Sequence, residues 1–170
     1  MRHARVWAAA VPALLIAALV VYRAACADAQ HVVSVVYDGD TIRLEDGTRV
    51  RLIGVDAPEV GSVYRAPEEF GEESKAYLTS LLLGRKVHIA VGDPPRDVYG
   101  RTLAYVYLDD VLVNGRIIRE GWARAYRVFR HPMRDLFIAY EREARSRGLG
   151  MWRDSPVSRA PATSPPARRR

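Results

Sequence analysis

The chain has 170 residues, of which 49% are hydrophobic and 27% charged, a composition that suits one globular domain and excludes wholesale disorder. The single cysteine excludes an intrachain disulfide framework and a zinc site built from several thiolates. The formal net charge of +6 lies at the two ends, because residues 30–152 carry 18 basic and 18 acidic side chains, so this body can bind an anionic partner only through locally placed charge.

The first 29 residues have the pattern of a secretory signal. Two arginines precede an uncharged stretch at residues 6–22, and Ala27-Asp28-Ala29 offers the small residues that a signal peptidase accepts. The alternative is a signal anchor that stays in the membrane, although ~17 residues is short for a membrane span. The sequence therefore predicts a secreted or periplasmic protein, or one anchored through residues 6–22 with its body outside the cytoplasm.

The body alternates short β-rich runs with amphipathic stretches. Strands are predicted at 32–37, 41–44, 49–55, 86–91 and 102–108, and helices at 67–83, 113–120 and 132–147. Asn114 is a candidate cap of the second helix. This order predicts an α+β domain in which a small antiparallel barrel packs against helices on one side, since closure removes exposed strand edges.

Acidic residues stand at the ends of the second and third strands. Asp40 opens the second strand, and Asp56 and Glu59 follow the third. If these strands pair through the turn near Asp46, Asp40 and Asp56 meet at one end of the sheet. Adjacent carboxylates are costly unless a cation neutralises them, and oxygen-only ligands favour calcium or magnesium over zinc.

Two arginines complete a set that suits phosphodiester chemistry. Arg51 lies among apolar residues of the third strand, and Arg101 follows Tyr99-Gly100 at the start of the fifth. Forked guanidinium donors suit phosphate, while a free carboxylate can activate water. Taken singly, Asp38-Gly39-Asp40-Thr41 is a common hairpin turn and a buried Arg–Asp pair is ordinary. Their order on successive strands favours the functional interpretation.

With these residues in place, residues 31–152 resemble the thermonucleases of the staphylococcal nuclease family. The segments that carry the resemblance are residues 35–41 (VVYDGDT), 51–59 (RLIGVDAPE), 97–106 (DVYGRTLAYV) and 113–121. The resemblance implies a five-stranded OB-fold barrel with three helices. It also implies calcium-dependent hydrolysis of DNA and RNA, with cleavage between phosphorus and the 5′ oxygen and 3′-phosphate products.

The resemblance also implies a role for each residue of the set. Asp40 and Asp56 match the carboxylate ligands of Ca²⁺, and Ala57 matches a ligand that binds through its main-chain carbonyl. Glu59 matches the general base or the residue that orders the attacking water. Arg51 and Arg101 match the two phosphate-binding arginines.

Substrate contacts outside this set depart from the family pattern. Tyr99 is retained, whereas Val98 stands where relatives carry a lysine. Tyr126 matches a nucleotide-stacking tyrosine after a one-residue gap, with a rim or core aromatic as the alternative, and Val128 replaces a second tyrosine. Since each stacked aromatic contributes about 1–3 kcal/mol per base, we expect nucleotide binding to be weaker or distributed differently here.

Two further interpretations remain open at this stage. One is a catalytically inactive OB-fold module that binds nucleic acid or protein, but such a module has no need of all five charged residues together. The other is a membrane-tethered nuclease with the same chemistry. We expect a monomer, with residues 153–170 forming a disordered, solvated tail rich in Pro, Ser and Arg.

Overall fold

The computed structural model describes residues 30–61 and 66–153. The predicted signal or anchor at 1–29 and nearly all of the predicted tail at 153–170 lie outside the described residues. Within the described ranges, no helix is long and apolar enough to cross a membrane.

Eight strands and three α-helices form the described part of the chain. The strands are β1 (His31–Val36), β2 (Thr41–Leu44), β3 (Arg49–Leu52), β4 (Val55–Asp56), β5 (Lys86–Arg96), β6 (Thr102–Leu108), β7 (Val111–Leu112) and β8 (Arg124–Ala125). The helices are α1 (Gly71–Leu82), α2 (Val113–Arg119) and α3 (Arg134–Ser146), followed by a 3₁₀ turn at Gly150–Trp152.

The main sheet closes on itself as a five-stranded barrel. Its strand order is β3-β2-β1-β5-β6, with β7 added beyond β6, and β3 also pairs with β6. The predicted α+β barrel with three helices is confirmed, with the correction that it is not antiparallel throughout, because β3 and β6 are parallel. A closed ring with an odd number of strands cannot alternate direction at every pairing, so a parallel pair is unavoidable.

The barrel interior is apolar and follows the two-residue period of its strands. Burial alternates strictly along β6, and Ile42, Leu44 and Val50 are inaccessible or nearly so. Leu78 and Leu82 of α1 extend the same core. Burial of apolar area at about 25 cal/mol per Å² is the main force that holds the barrel closed and the helices against it.

The strand predicted at residues 49–55 is divided in the structure. Gly54 has a φ of +76°, and a Cβ at this position would collide with the ring of His131. The chain therefore turns at Gly54, so that β4 leaves the barrel and pairs with β8 instead. Because Val55 continues the apolar run, the hydrophobic pattern did not indicate this break.

Asn114 is not the cap predicted for the second helix. Leu112 occupies the N-cap of α2, while Asn114 lies buried inside the helix. Its Oδ1 accepts a hydrogen bond from Val106 N at 2.8 Å, and its Nδ2 donates to the carbonyls of Ile53 and Ala104. Asn114 thus ties α2 to β6 and to the chain just after β3, and its amide is fully satisfied.

Helix α3 is fastened to β8 by a buried acid. Glu141 is 1% exposed, and its Oε2 accepts hydrogen bonds from Ala125 N and from Arg127, both at 3.0 Å. Its Oε1 accepts from Arg145 at 2.5 Å. Burial alone would raise the pKa of Glu141, but these hydrogen bonds outweigh it and hold the pKa below its usual value.

Candidate active site

The turn between β1 and β2 presents Asp40 at one end of the barrel. Asp38 Oδ1 accepts a hydrogen bond from Asp40 N at 2.9 Å, which fixes the turn. A Cβ at Gly39 would overlap Ser74 Oγ and lie 2.6 Å from the Cβ of Ala57. Only glycine fits between α1 and the segment after β4, so this position sets how closely the acidic turn approaches both.

Asp40 is the centre of a buried polar cluster. It is 6% exposed, and its Oδ2 accepts a hydrogen bond from Ala57 N at 3.0 Å. Arg51 Nη1 lies 2.5 Å from the same oxygen, in keeping with the pairing of Thr41 with Arg51 in the β2–β3 ladder. The structure thus brings Asp40 together with Arg51 and with the backbone of Ala57, 17 residues further along the chain.

The electrostatics of Asp40 are unbalanced. Burial raises its pKa to about 7, with Arg51 opposing the shift and Asp38 adding to it. Arg51 Nη1 is buried and forms a close ion pair with Asp40. The cluster therefore contains a buried acid that one paired arginine does not fully neutralise.

Asp56 and Glu59 lie in the segment between β4 and α1. Asp56 is half-buried and pairs with Arg124 in the β4–β8 ladder. Glu59 is also half-buried, and its carbonyl accepts a hydrogen bond from Glu68 N at 2.9 Å. A Cβ at Gly71 would collide with the same carbonyl, so the start of α1 packs closely against the backbone of Glu59.

The donor chemistry of this region fits calcium. Asp40 and Asp56 would offer carboxylate oxygens and Ala57 a main-chain carbonyl, all hard ligands of the kind that Ca²⁺ takes. Burial raises the pKa of the Asp40 carboxyl, and a divalent cation bound beside it would lower that pKa again, because it favours the ionised carboxylate. Among the described residues, no group of three or more His, Cys, Asp or Glu side chains is clustered closely enough to hold a metal by itself.

Arg101 and Tyr99 lie in the turn between β5 and β6. Arg101 Nε donates to Asp97 Oδ2 at 2.6 Å, while Asp97 Oδ1 accepts the backbone N–H groups of Tyr99 and Arg101. Arg51 pairs with Leu103 in the β3–β6 ladder, and Arg101 lies two residues before Leu103, in the turn that leads into β6. The two arginines are thus close along this strand pairing, but each is paired with a different acid.

Two tyrosines predicted to contact substrate stand at the periphery. Tyr99 is 78% exposed, and its ring lies 5.4 Å from the Arg101 guanidinium. Tyr126 is half-buried, donates its backbone N–H to the Gly54 carbonyl and lies 5.9 Å from the ring of Phe129. Tyr99 therefore offers an open ring face beside Arg101, whereas Tyr126 shares its environment with a second aromatic ring.

Sequence reasoning missed three residues that shape the site. Ser74 is buried in α1 and donates to the carbonyl of Trp122 at 2.7 Å, beneath the acidic turn. Asp97 orients Arg101, and its place four residues before that arginine in a Tyr-Gly turn was the available signal. Phe129 is 69% exposed, in a stretch with no helical or strand periodicity to draw attention to it.

Comparison with known proteins identifies the family to which most of this region belongs. Residues 49–154 match the family model described as Staphylococcal nuclease homologue. The matched range contains Arg51, the Asp56–Glu59 segment and the Arg101 turn, and it begins after the β1–β2 turn that carries Asp40.

Three relatives align over most of their own length. The thermonuclease of Staphylococcus intermedius is 38% identical over 128 residues, covering 72% of this chain and 75% of the relative. The micrococcal nuclease of Shigella flexneri is 34% identical over 148 residues and 80% of each chain. Protein ParB of Escherichia coli is 32% identical over 154 residues, covering 84% of this chain and 82% of the relative.

These matches confirm the resemblance inferred from the sequence and the enzyme class that it implied, a phosphodiesterase of the endonuclease type. The family model alone covers more than half of the chain. The chain belongs to the staphylococcal nuclease family.

Proposed function

We propose that this protein is a calcium-dependent nuclease that hydrolyses phosphodiester bonds of DNA and RNA. Cleavage falls between phosphorus and the 5′ oxygen and leaves 3′-phosphate ends. The protein acts as a monomer outside the cytoplasm, either secreted or periplasmic, or anchored through residues 6–22. Relatives named thermonuclease and micrococcal nuclease support the nucleic-acid substrate.

The observation that carries this proposal is the buried contact of Asp40 with Arg51 and Ala57 at one end of the barrel. Burial and the neighbouring Asp38 raise the pKa of Asp40 to about 7 although Arg51 is paired with it, so one arginine does not fully neutralise this buried acid. A buried carboxylate in this condition is suited to bind a cation, and a guanidinium beside it is suited to bind a phosphate oxygen.

The side chains have distinct tasks in the proposed reaction. Asp40, Asp56 and the Ala57 carbonyl would hold calcium, which would supply positive charge against the negative charge that builds on the phosphate. Glu59 accepts a proton from water as the water oxygen bonds to phosphorus, and the bond from phosphorus to the 5′ oxygen breaks. Arg51 and Arg101 donate N–H groups to the non-bridging oxygens, and the departing oxygen takes a proton from solvent water to become a 5′-hydroxyl.

The test is incubation of the purified protein with single-stranded DNA and RNA, with calcium or with EGTA, followed by identification of the product ends. We expect cleavage only with calcium and 3′-phosphate ends. Glu59→Gln should lower kcat by ~10² or more, the range typical of general-base loss. Binding of either nucleic acid without cleavage would instead support the inactive binding module, and activity that survives EGTA would contradict the calcium assignment.

A further inference from the structure

A second polar cleft lies away from the Asp40 cluster, between α3 and the segment after β8. Its volume is about 460 Å³, and we call it the arginine cleft. The residues that line it are Arg127, Ile138, Glu141, Arg142 and Arg145.

Positive charge exceeds negative charge in the arginine cleft. Its three arginines face one acid, Glu141, whose two oxygens are already engaged by Ala125 N, Arg127 and Arg145. Arg142 is exposed and has no ion pair or hydrogen bond within residues 30–61 and 66–153. The Arg145 guanidinium is paired with Glu141 and lies 4.0 Å from the centre of the Trp152 ring, so its contacts are already made. The cleft thus holds two arginines that share one acid and a third, Arg142, that meets no anion within the described residues.

The arginine cleft is connected directly to the proposed catalytic segment. Asp56 pairs with Arg124 in the β4–β8 ladder, and Arg127 follows a few residues later. Three residues span at most about 11 Å, so the backbone of Arg127, at the edge of the cleft, lies within that distance of Arg124, which is paired with Asp56. This short separation would let a nucleic-acid strand bound at Asp56 extend to the cleft through neighbouring nucleotides.

We propose that the arginine cleft binds a backbone phosphate of the substrate strand, outside the bond that is cleaved. This inference rests on the proposed function, because the strand is the nuclease substrate. Arginine forks match phosphate oxygens bidentately, and a phosphate would neutralise the excess charge that Glu141 leaves. The cleft would contact phosphate and not a base, so its contribution to binding is independent of nucleotide sequence and depends on the length of the strand.

The test uses Arg142→Gln, which removes a charge that holds no other side chain in place among the described residues. Arg85→Gln is the matched control, because it removes the same charge from an exposed arginine whose ion pair with Asp109 is a long one, at 3.8 Å. We would measure kcat and KM on a strand of about 16 nucleotides and on a dinucleotide, since only the longer strand, within the site sizes known for single-strand binding, reaches the cleft. Equilibrium binding of the longer strand in EGTA would be measured across a salt series.

Arg142→Gln should raise KM for the longer strand, leave kcat unchanged and leave the dinucleotide unaffected. The slope of log K against log salt should become shallower by ~0.7, the value for one phosphate contact on a single strand. Arg142→Lys should keep most of that slope, and Arg85→Gln should match the wild type.

Two results would overturn the arginine cleft as a phosphate site. One is an Arg142→Gln protein indistinguishable from Arg85→Gln in both KM and salt slope, and the other is an equal loss on the dinucleotide. A wild type that binds the longer strand but does not cleave it would refute the proposed function alone, since the salt slope would still test the cleft.

Discussion

Two buried carboxylates, Asp40 and Glu141, differ in how well their surroundings satisfy them. Glu141 receives hydrogen bonds from three groups, and its pKa lies below the usual value although burial opposes this. Asp40 is nearly as buried, but burial prevails there and raises its pKa to about 7. The two acids differ in the charge around them rather than in the number of donors: Glu141 is engaged by two arginines, whereas Asp40 meets one arginine and lies beside a second acid, Asp38.

The difference in pKa follows from where each acid lies in the fold. Glu141 joins α3 to β8, two elements of the fold that need a fixed contact. Asp40 stands in a turn where Arg51 and Ala57 N reach one oxygen and Thr41 the other. The unbalanced acid costs stability, and the protein retains it at the end of the barrel where a cation and a phosphate are proposed to bind.

Substitution of Arg51, the arginine beside Asp40, should have the largest effect on activity. Arg51→Lys should lower kcat by ~10² to 10³, because an ammonium cannot make the paired contacts of a guanidinium. Arg101→Lys should also be severely impaired. Arg116→Lys, at an exposed pair with Glu120, is the control and should retain full activity. Near-normal kcat for Arg51→Lys or Arg101→Lys would remove that residue from the mechanism.

Glu141→Gln tests the structural role of Glu141, measured as the free energy of unfolding. Loss of one partner in a buried ion cluster should cost about 3–5 kcal/mol in the free energy of unfolding at neutral pH. Because the folded pKa of Glu141 is lowered, its carboxylate stabilises the fold above the unfolded value of about 4.3, and this contribution is lost as the pH falls through the folded pKa. Urea unfolding followed from neutral pH to about pH 3 should therefore show the wild type approaching the variant at acid pH.

A constant difference in unfolding free energy across that range would contradict the role assigned to the ionised Glu141. Glu143→Gln, on the more exposed side of α3, is the matched control, since its partners are exposed arginines and its removal should have little effect.

The sequence predicted what depends on local pairing and missed what depends on distant partners. The start of β2, beside Asp40, could be placed next to the end of β3 because a hairpin register fixes which ends of two strands meet, whereas the ion pair of Asp40 with Arg51 was not predicted. Asn114 could not be recognised as a core amide, because its partners belong to other parts of the barrel. Glu141 resembles an ordinary helix-surface acid until α3 packs on β8, since its hydrogen bonds to that region cross 14 to 16 residues.

The smallest effects are expected from alanine substitutions in two turns of the barrel, the turn that carries Asp40 and the turn at Gly47. Gly39→Ala should cost about 1–3 kcal/mol of stability, because its Cβ would overlap Ser74 Oγ and the Cβ of Ala57. Gly47→Ala should cost about 1–2 kcal/mol for a different reason, since Gly47 has a φ of +86° but open space around it. Only Gly39→Ala should also lower kcat, because the displaced turn carries Asp40. Equal kcat for the two variants, measured where both are fully folded, would show that the close approach of the turn to α1 serves packing alone.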